Sequence, residues 1–93
     1  MYDRNSALKN IDATRSVLER LPETACGNLF IHCYSDKAQI QFFGNAFDAA
    51  RDAFPFAKQI RHVLYDGSYD AEEFYVDGVR LFRLVRKEKT AHE

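Results

Sequence analysis

The spacing of apolar residues near the start of the chain predicts an amphipathic helix. Its apolar positions are Leu8, Ile11, Val17, Leu18 and Leu21. Steps of three and four residues place these side chains along one stripe of a helix over residues 6–21. We expect Asn5 or Ser6 to cap the free N–H groups at its start, and Pro22 to end it.

From Asn28 onwards the period of the pattern falls to two, which is typical of β-strands. The positions of one parity are Leu29, Ile31, Cys33, Ala38, Ile40 and Phe42. Those of the other parity are Phe30, His32, Tyr34, Gln39, Gln41 and Phe43. Because Ser35, Asp36 and Lys37 suit a turn between the two runs, the segment predicts a β-hairpin with its first set facing the helices.

A second, shorter helix is predicted to begin at Asn45 and to end before Pro55. Its narrow apolar stripe consists of Phe47, Ala50 and Phe54. The next segment, 57–66, fits a strand by its alternation and a helix by other spacings, and the sequence leaves both open. We favour the strand because this segment is rich in β-branched and aromatic residues and follows a proline.

Asp77-Gly78 is the strongest local signal in the chain. An Asp-Gly pair between two apolar runs is typical of a type I′ hairpin. A loop of these two residues pairs Val76 with Val79, Tyr75 with Arg80 and Phe74 with Leu81. The last strand is expected to continue to Arg86, followed by a frayed polar tail over residues 87–93.

These elements predict one α+β domain over residues 1–93, with the order α-β-β-α-β-β-β. The two helices would pack on one face of a mostly antiparallel sheet of four or five strands. A chain of 93 residues is long enough for one core and too short for two.

Strand alternation predicts that the second face of this sheet carries apolar and aromatic side chains, because two helices cover only one face. We expect Phe30, Tyr34, Phe43, Tyr75, Phe82 and Leu84 to be exposed there. The candidate partner-binding residues are Phe30, Tyr34, Tyr75, Arg80, Phe82, Leu84 and Arg86. Aromatic residues and arginine are enriched at interface centres, so this face predicts binding to a protein partner of unknown identity or to a second copy in a homodimer. The alternatives are a shift of parity at a bulge, or a helix or the tail covering the face.

Charge and composition bear on a second hypothesis, in which the bases of a single-stranded nucleic acid stack on the same aromatic face, beside Arg80 and Arg86. The chain has 13 Lys+Arg and 14 Asp+Glu, for a net charge of −1, which removes most of the nonspecific attraction to phosphates. The neutrality is a sum of two blocks, acidic from Asp66 to Asp77 and basic from Arg80 to Lys89. Such blocks either steer a charged partner or neutralise each other.

No residue pattern points to catalysis, a cofactor or a metal, so we expect a non-enzymatic protein. His32 and Cys33 are neighbours on a strand and point to opposite faces, which argues against one ion binding both, and we expect a buried Cys33 and a surface His32. A Cys33–His62 nucleophile pair has nothing to hold it together. The two cysteines, Cys26 and Cys33, are expected to be reduced thiols rather than a disulfide.

No apolar run is long enough to span a membrane, and the N-terminus lacks the apolar core of a signal peptide. A cytoplasmic location is therefore expected.

The layout loosely resembles small α+β proteins encoded by bacteriophages and mobile elements, among them anti-CRISPR inhibitors of bacterial defence. Chain length, element order and the Val76-Asp77-Gly78-Val79 hairpin carry the resemblance. It implies a protein that acts by occupying the surface of a partner, and it transfers no functional residue.

Overall fold

A computed structural model describes residues 3–57 and 60–87 of the chain. Its elements are α1 (Arg4–Glu19), α2 (Glu23–Cys26), β1 (Leu29–Cys33), β2 (Ala38–Phe42), α3 (Ala46–Ala53), β3 (Arg61–Leu64), β4 (Tyr69–Val76) and β5 (Val79–Arg86). The predicted α+β class and element order are confirmed, with the short α2 as an addition. Segment 57–66 contains the strand β3, as favoured. The predicted frayed tail lies outside the described residues from 88 onwards.

The five strands form one open sheet in the order β1-β2-β5-β4-β3. β2 and β5 run parallel, and the other three neighbouring pairs are antiparallel. The two predicted hairpins therefore lie side by side, and the parallel β2–β5 pair joins them.

The β4–β5 turn has the geometry that its sequence predicts. Asp77 and Gly78 both have positive φ, of 51° and 82°, as a type I′ turn requires. The register places Val76 opposite Val79 and continues to Arg86, which confirms the predicted pairing.

The start of α1 differs from the prediction. Asp3, rather than Asn5 or Ser6, is the N-cap, and its carboxylate accepts a hydrogen bond of 2.7 Å from the backbone N–H of Ser6. This bond holds the pKa of Asp3 below its ordinary value. The helix ends at Glu19, three residues before Pro22.

The predicted apolar stripe of α1 is only partly buried. Val17 is fully buried, but Leu8 and Ile11 keep 49% and 45% of their surface exposed. Thr14 is buried in place of an apolar residue, and its hydroxyl donates to the carbonyl of Asn10 at 2.7 Å. The position of α1 relative to the strands explains why Leu8 and Ile11 remain exposed.

α1 crosses the strands instead of lying along them. Asn10 donates to the carbonyl of Tyr34, just beyond the end of β1, and Arg20 pairs with Asp77 in the β4–β5 turn. Ten residues of helix span about 15 Å, close to the roughly 14 Å of three strand spacings. The turns before Asn10 therefore extend past β1, which leaves Leu8 without a sheet beneath it.

The core lies between the sheet and the helices, with Val17 of α1 and Ala25 of α2 in the same buried cluster as α3. Phe47, at the centre of the predicted stripe of α3, packs against Phe42 and Phe74 with ring centroids 6.4 and 5.6 Å apart. Ala50 and Phe54 are also buried, so the whole stripe is confirmed. This packing covers one face of β2, β4 and β5.

Candidate protein-binding surface

The sheet face opposite the helices, which we call the open face, carries all seven predicted contact residues. Its two central rows are Phe30–Gln41–Phe82–Glu73 and His32–Gln39–Arg80–Tyr75, read across β1, β2, β5 and β4. Leu84 and Arg86 follow along β5 on the same face, and Tyr34 follows His32 at the end of β1. The parity predicted from the alternation is confirmed.

Phe82 is not an exposed anchor, and on this point the prediction was wrong. Only 3% of its surface is exposed. The guanidinium of Arg80 lies 4.2 Å from the centre of the Phe82 ring, and the His32 ring lies beside it at 6.4 Å. A long side chain with a charged end can cover apolar surface, so one side chain of the open face buries its neighbour. Leu84, also expected to be exposed, is half-buried.

Arg80 is held in place by a buried acid. Its Nε lies 2.5 Å from Oε1 of Glu73, whose side chain is only 5% exposed, and Arg61 approaches the same carboxylate at 3.7 Å. Gln39 accepts a weaker hydrogen bond from Arg80 at 3.5 Å. The centre of the open face is therefore a fixed polar network that covers Phe82.

Sequence reasoning missed Glu73, although a signal for it was present. The hairpin register predicted from Asp77-Gly78 places Glu73 opposite Phe82, on the same face as Arg80. Glu73 lies two residues from Tyr75 on the same strand, so the predicted register already places its carboxylate next to Arg80.

The acidic and basic blocks mostly neutralise each other across the β4–β5 hairpin. Besides the Glu73–Arg80 pair, Glu72 contacts Arg83 at 2.5 Å, and Lys87 lies 3.8 Å from Asp70. The sequence left open whether the two blocks steer a charged partner or neutralise each other, and these contacts correspond to mutual neutralisation.

The exposed rings of the open face lie around this polar centre. Phe30 is 60% exposed, Tyr34 47% and Tyr75 49%. Phe30 packs edge-to-face on Phe43 at 5.3 Å, which leaves Phe43 half-buried, and Lys37 lies 5.1 Å from the ring centre of Tyr34. The face thus presents apolar rings at β1 and β4 with a charged, ordered patch between them.

The structure separates the residues that suggested metal or nucleophile chemistry. His32 lies on the open face and Cys33 on the helix face, as predicted, but Cys33 is exposed rather than buried because it lies at the outer side of the sheet. Cys33 is on β1 and His62 is on β3, and four strand spacings, or about 19 Å, separate these two strands. Within residues 3–57 and 60–87 no group of three or more His, Cys, Asp or Glu side chains is placed to bind a metal.

No helix in the described ranges is long and apolar enough to cross a lipid bilayer. Comparisons of the chain with protein-family models, with curated proteins and with solved structures find no match. The function of this chain is therefore inferred from the chemistry of its own surface.

Proposed function

We propose that this chain is a non-enzymatic module that binds a protein partner through its open face. Phe30, Tyr34 and Tyr75 supply apolar contact area, Arg86 orients the partner by its charge, and the guanidinium of Arg80, already paired with Glu73, adds hydrogen-bond donors. The observation that carries the proposal is that three half-exposed rings lie on one sheet face around Arg80, which is paired with Glu73.

The order of this face before binding supports the proposal. Arg80 is fixed by Glu73 and by the ring of Phe82, so little side-chain freedom remains to be lost when a partner binds. Aromatic rings add area at low entropic cost because they have few rotatable bonds. An exposed ring beside a fixed guanidinium is the composition that interface centres favour.

An inhibitor is one form that this function would take. A small protein that covers a partner's surface needs no catalytic group, and the layout resembles phage-encoded inhibitors of bacterial defence. This narrower role rests on the resemblance, and its test is whether expression of the chain lets a phage infect a host that is otherwise protected.

Binding of single-stranded nucleic acid is the second candidate, favoured by the exposed rings of Phe30, Tyr34 and Tyr75. The pairing of Arg80 and Arg61 with Glu73 lowers the positive charge of the same face. Association with short oligonucleotides at low salt, weakening as salt rises, would support this candidate, and no binding at low salt would end it.

The test of the protein-binding proposal is affinity capture from the native host with variants on opposite sides of the sheet. Tyr75→Glu and Phe30→Glu should each lose the partner that the wild type retains. Leu64→Glu is the matched control, because Leu64 is 74% exposed but lies on the helix face of β3. Circular dichroism would show that all three variants are folded. Equal capture by the Tyr75 and Phe30 variants and the wild type would refute the proposal.

A further inference from the structure

β1 is the terminal strand on one side of the described sheet, and one set of its backbone groups points away from β2. The N–H of Phe43 donates to the carbonyl of Asn28, and the N–H of Tyr34 donates to the carbonyl of Lys37. Antiparallel ladders alternate, so the even-numbered residues of this strand bond to β2. The N–H and C=O groups of Leu29, Ile31 and Cys33 therefore face outward.

Among residues 3–57 and 60–87, this outer side of β1 lacks the usual protection against pairing with another chain. The sequence of β1, Leu-Phe-Ile-His-Cys, has no proline and no Lys, Arg, Asp or Glu. Natural edge strands are usually shortened, charged or covered. β3, at the other side of the sheet, is shorter and begins with the exposed Arg61.

Exposed apolar side chains surround the outer side of β1. Leu8, in the turns of α1 that extend past β1, is 49% exposed, and Ile11 and Ile31 near the strand are 45% and 47% exposed. A cleft of about 260 Å³ separates α1 from β1, with Ile11, Leu18, Ile31 and Cys33 among its lining residues. A strand added beside β1 would lie under the overhang of α1.

We propose that a second copy of this chain binds here, with the two β1 strands paired antiparallel around a two-fold axis through Ile31. Ile31 is the middle of the three outward-facing residues, so self-pairing places Ile31 opposite Ile31 of the second copy. Leu29 then lies opposite Cys33 of the second copy. All outward N–H and C=O groups of these three residues are satisfied in both copies.

The same two-fold axis brings the α1 helices together. Because the axis is perpendicular to the sheet, both helices lie on the same face and run antiparallel. The flank that carries Leu8 and Ile11 faces the same flank of the other helix, above the paired Ile31 residues. The second copy thus covers the apolar residues that one copy leaves bare.

Area and charge favour the second copy as the occupant. Exposed fractions of 45–49% for Leu8, Ile11 and Ile31 correspond to about 250 Å² of apolar surface, roughly a third of the 800 Å² per partner in a stable interface. The main chain of β1 and neighbouring α1 residues supply the rest. A net charge of −1 gives little repulsion between copies.

The first test is molecular mass as a function of protein concentration, by analytical ultracentrifugation. The wild type should be a dimer that dissociates on dilution. Ile31→Lys should raise its dissociation constant by at least about tenfold. Leu64→Lys, the same kind of change at a more exposed apolar position on β3, should leave it unchanged. Tyr75→Glu should also leave it unchanged, which separates this interface from the open face. A monomer at millimolar concentration, or a dimer insensitive to Ile31→Lys, would overturn the proposal.

The second test is specific to the register and does not depend on tolerance of lysine in the strand. In a Cys26→Ser, Cys33→Ser background, Ile31→Cys should form a disulfide-linked dimer on mild oxidation. Directly opposed residues of a hydrogen-bonded antiparallel pair have Cα atoms about 5.5 Å apart, within the range that a disulfide spans. Leu64→Cys in the same background should stay monomeric on a non-reducing gel. Equal cross-linking of the two variants would rule out the proposed register.

Discussion

Replacement of Arg80 by leucine tests whether the polar network of the open face stabilises the fold. The change leaves the carboxylate of Glu73, which is only 5% exposed, without its 2.5 Å partner. Arg61 remains at 3.7 Å, but its own side chain is 67% exposed. The change also removes the guanidinium that covers Phe82.

The expected loss is about 3 kcal/mol in the free energy of unfolding. Removal of one partner of a fully buried ion pair costs roughly 3–5 kcal/mol, and the remaining contact with Arg61 places this pair at the low end. Small domains are stable by only about 5–15 kcal/mol, so the loss is a large share of the total. For a chain of this length it corresponds to a fall in Tm of about 12–24 °C.

Urea and thermal unfolding followed by circular dichroism would measure the effect, with Arg86→Leu as the control. Arg86 is exposed on the same strand and face, so its replacement should change stability by no more than about 0.5 kcal/mol. The double variant Glu73→Leu, Arg80→Leu removes both charges and should recover most of the loss. A loss below about 1 kcal/mol in Arg80→Leu, or no recovery in the double variant, would refute the reasoning.

Three further predictions concern other parts of the fold. Gly78→Ala should lower stability by about 1–2 kcal/mol in urea unfolding because φ is 82° there, whereas Gly27→Ala, where a Cβ also meets nothing but φ is −75°, should not. Phe47→Ala should cost about 3–5 kcal/mol, measured in the same way, because the ring is fully buried between two others. The lowered pKa of Asp3 means that its contribution to α1 is present at neutral pH and is lost as the pH falls through that pKa. Thermal unfolding from neutral to acidic pH should therefore show a component of acid destabilisation in the wild type that Asp3→Asn lacks.

The hairpins could be predicted because their signals are local. A type I′ turn requires positive φ at two successive residues, and Asp77 and Gly78 both adopt it. The position of this turn fixes the register along the whole of β4 and β5. The alternation from Leu29 to Phe42 likewise predicts the correct sheet face for each side chain. Both depend on residues fewer than about twenty positions apart.

The remaining features depend on contacts between distant parts of the chain. No local pattern predicts that β2 pairs with β5. Nor does one predict that α1 crosses the strands and leaves Leu8 and Ile11 exposed. The burial of Phe82 was missed for a different reason. Its face was predicted correctly, but its exposure depends on where the side chain of Arg80 lies, and alternation carries no information about that.

The parallel pairing of β2 with β5 has a consequence for how fast the chain folds. β1 with β2, and β3 with β4 and β5, are assemblies of sequence neighbours that close within microseconds. Gln39 and Arg80, which face each other where these two assemblies meet, are 41 positions apart, so closing that loop costs chain entropy before any contact offsets it. We therefore expect the docking of two preformed pieces, rather than the formation of either, to limit the folding rate.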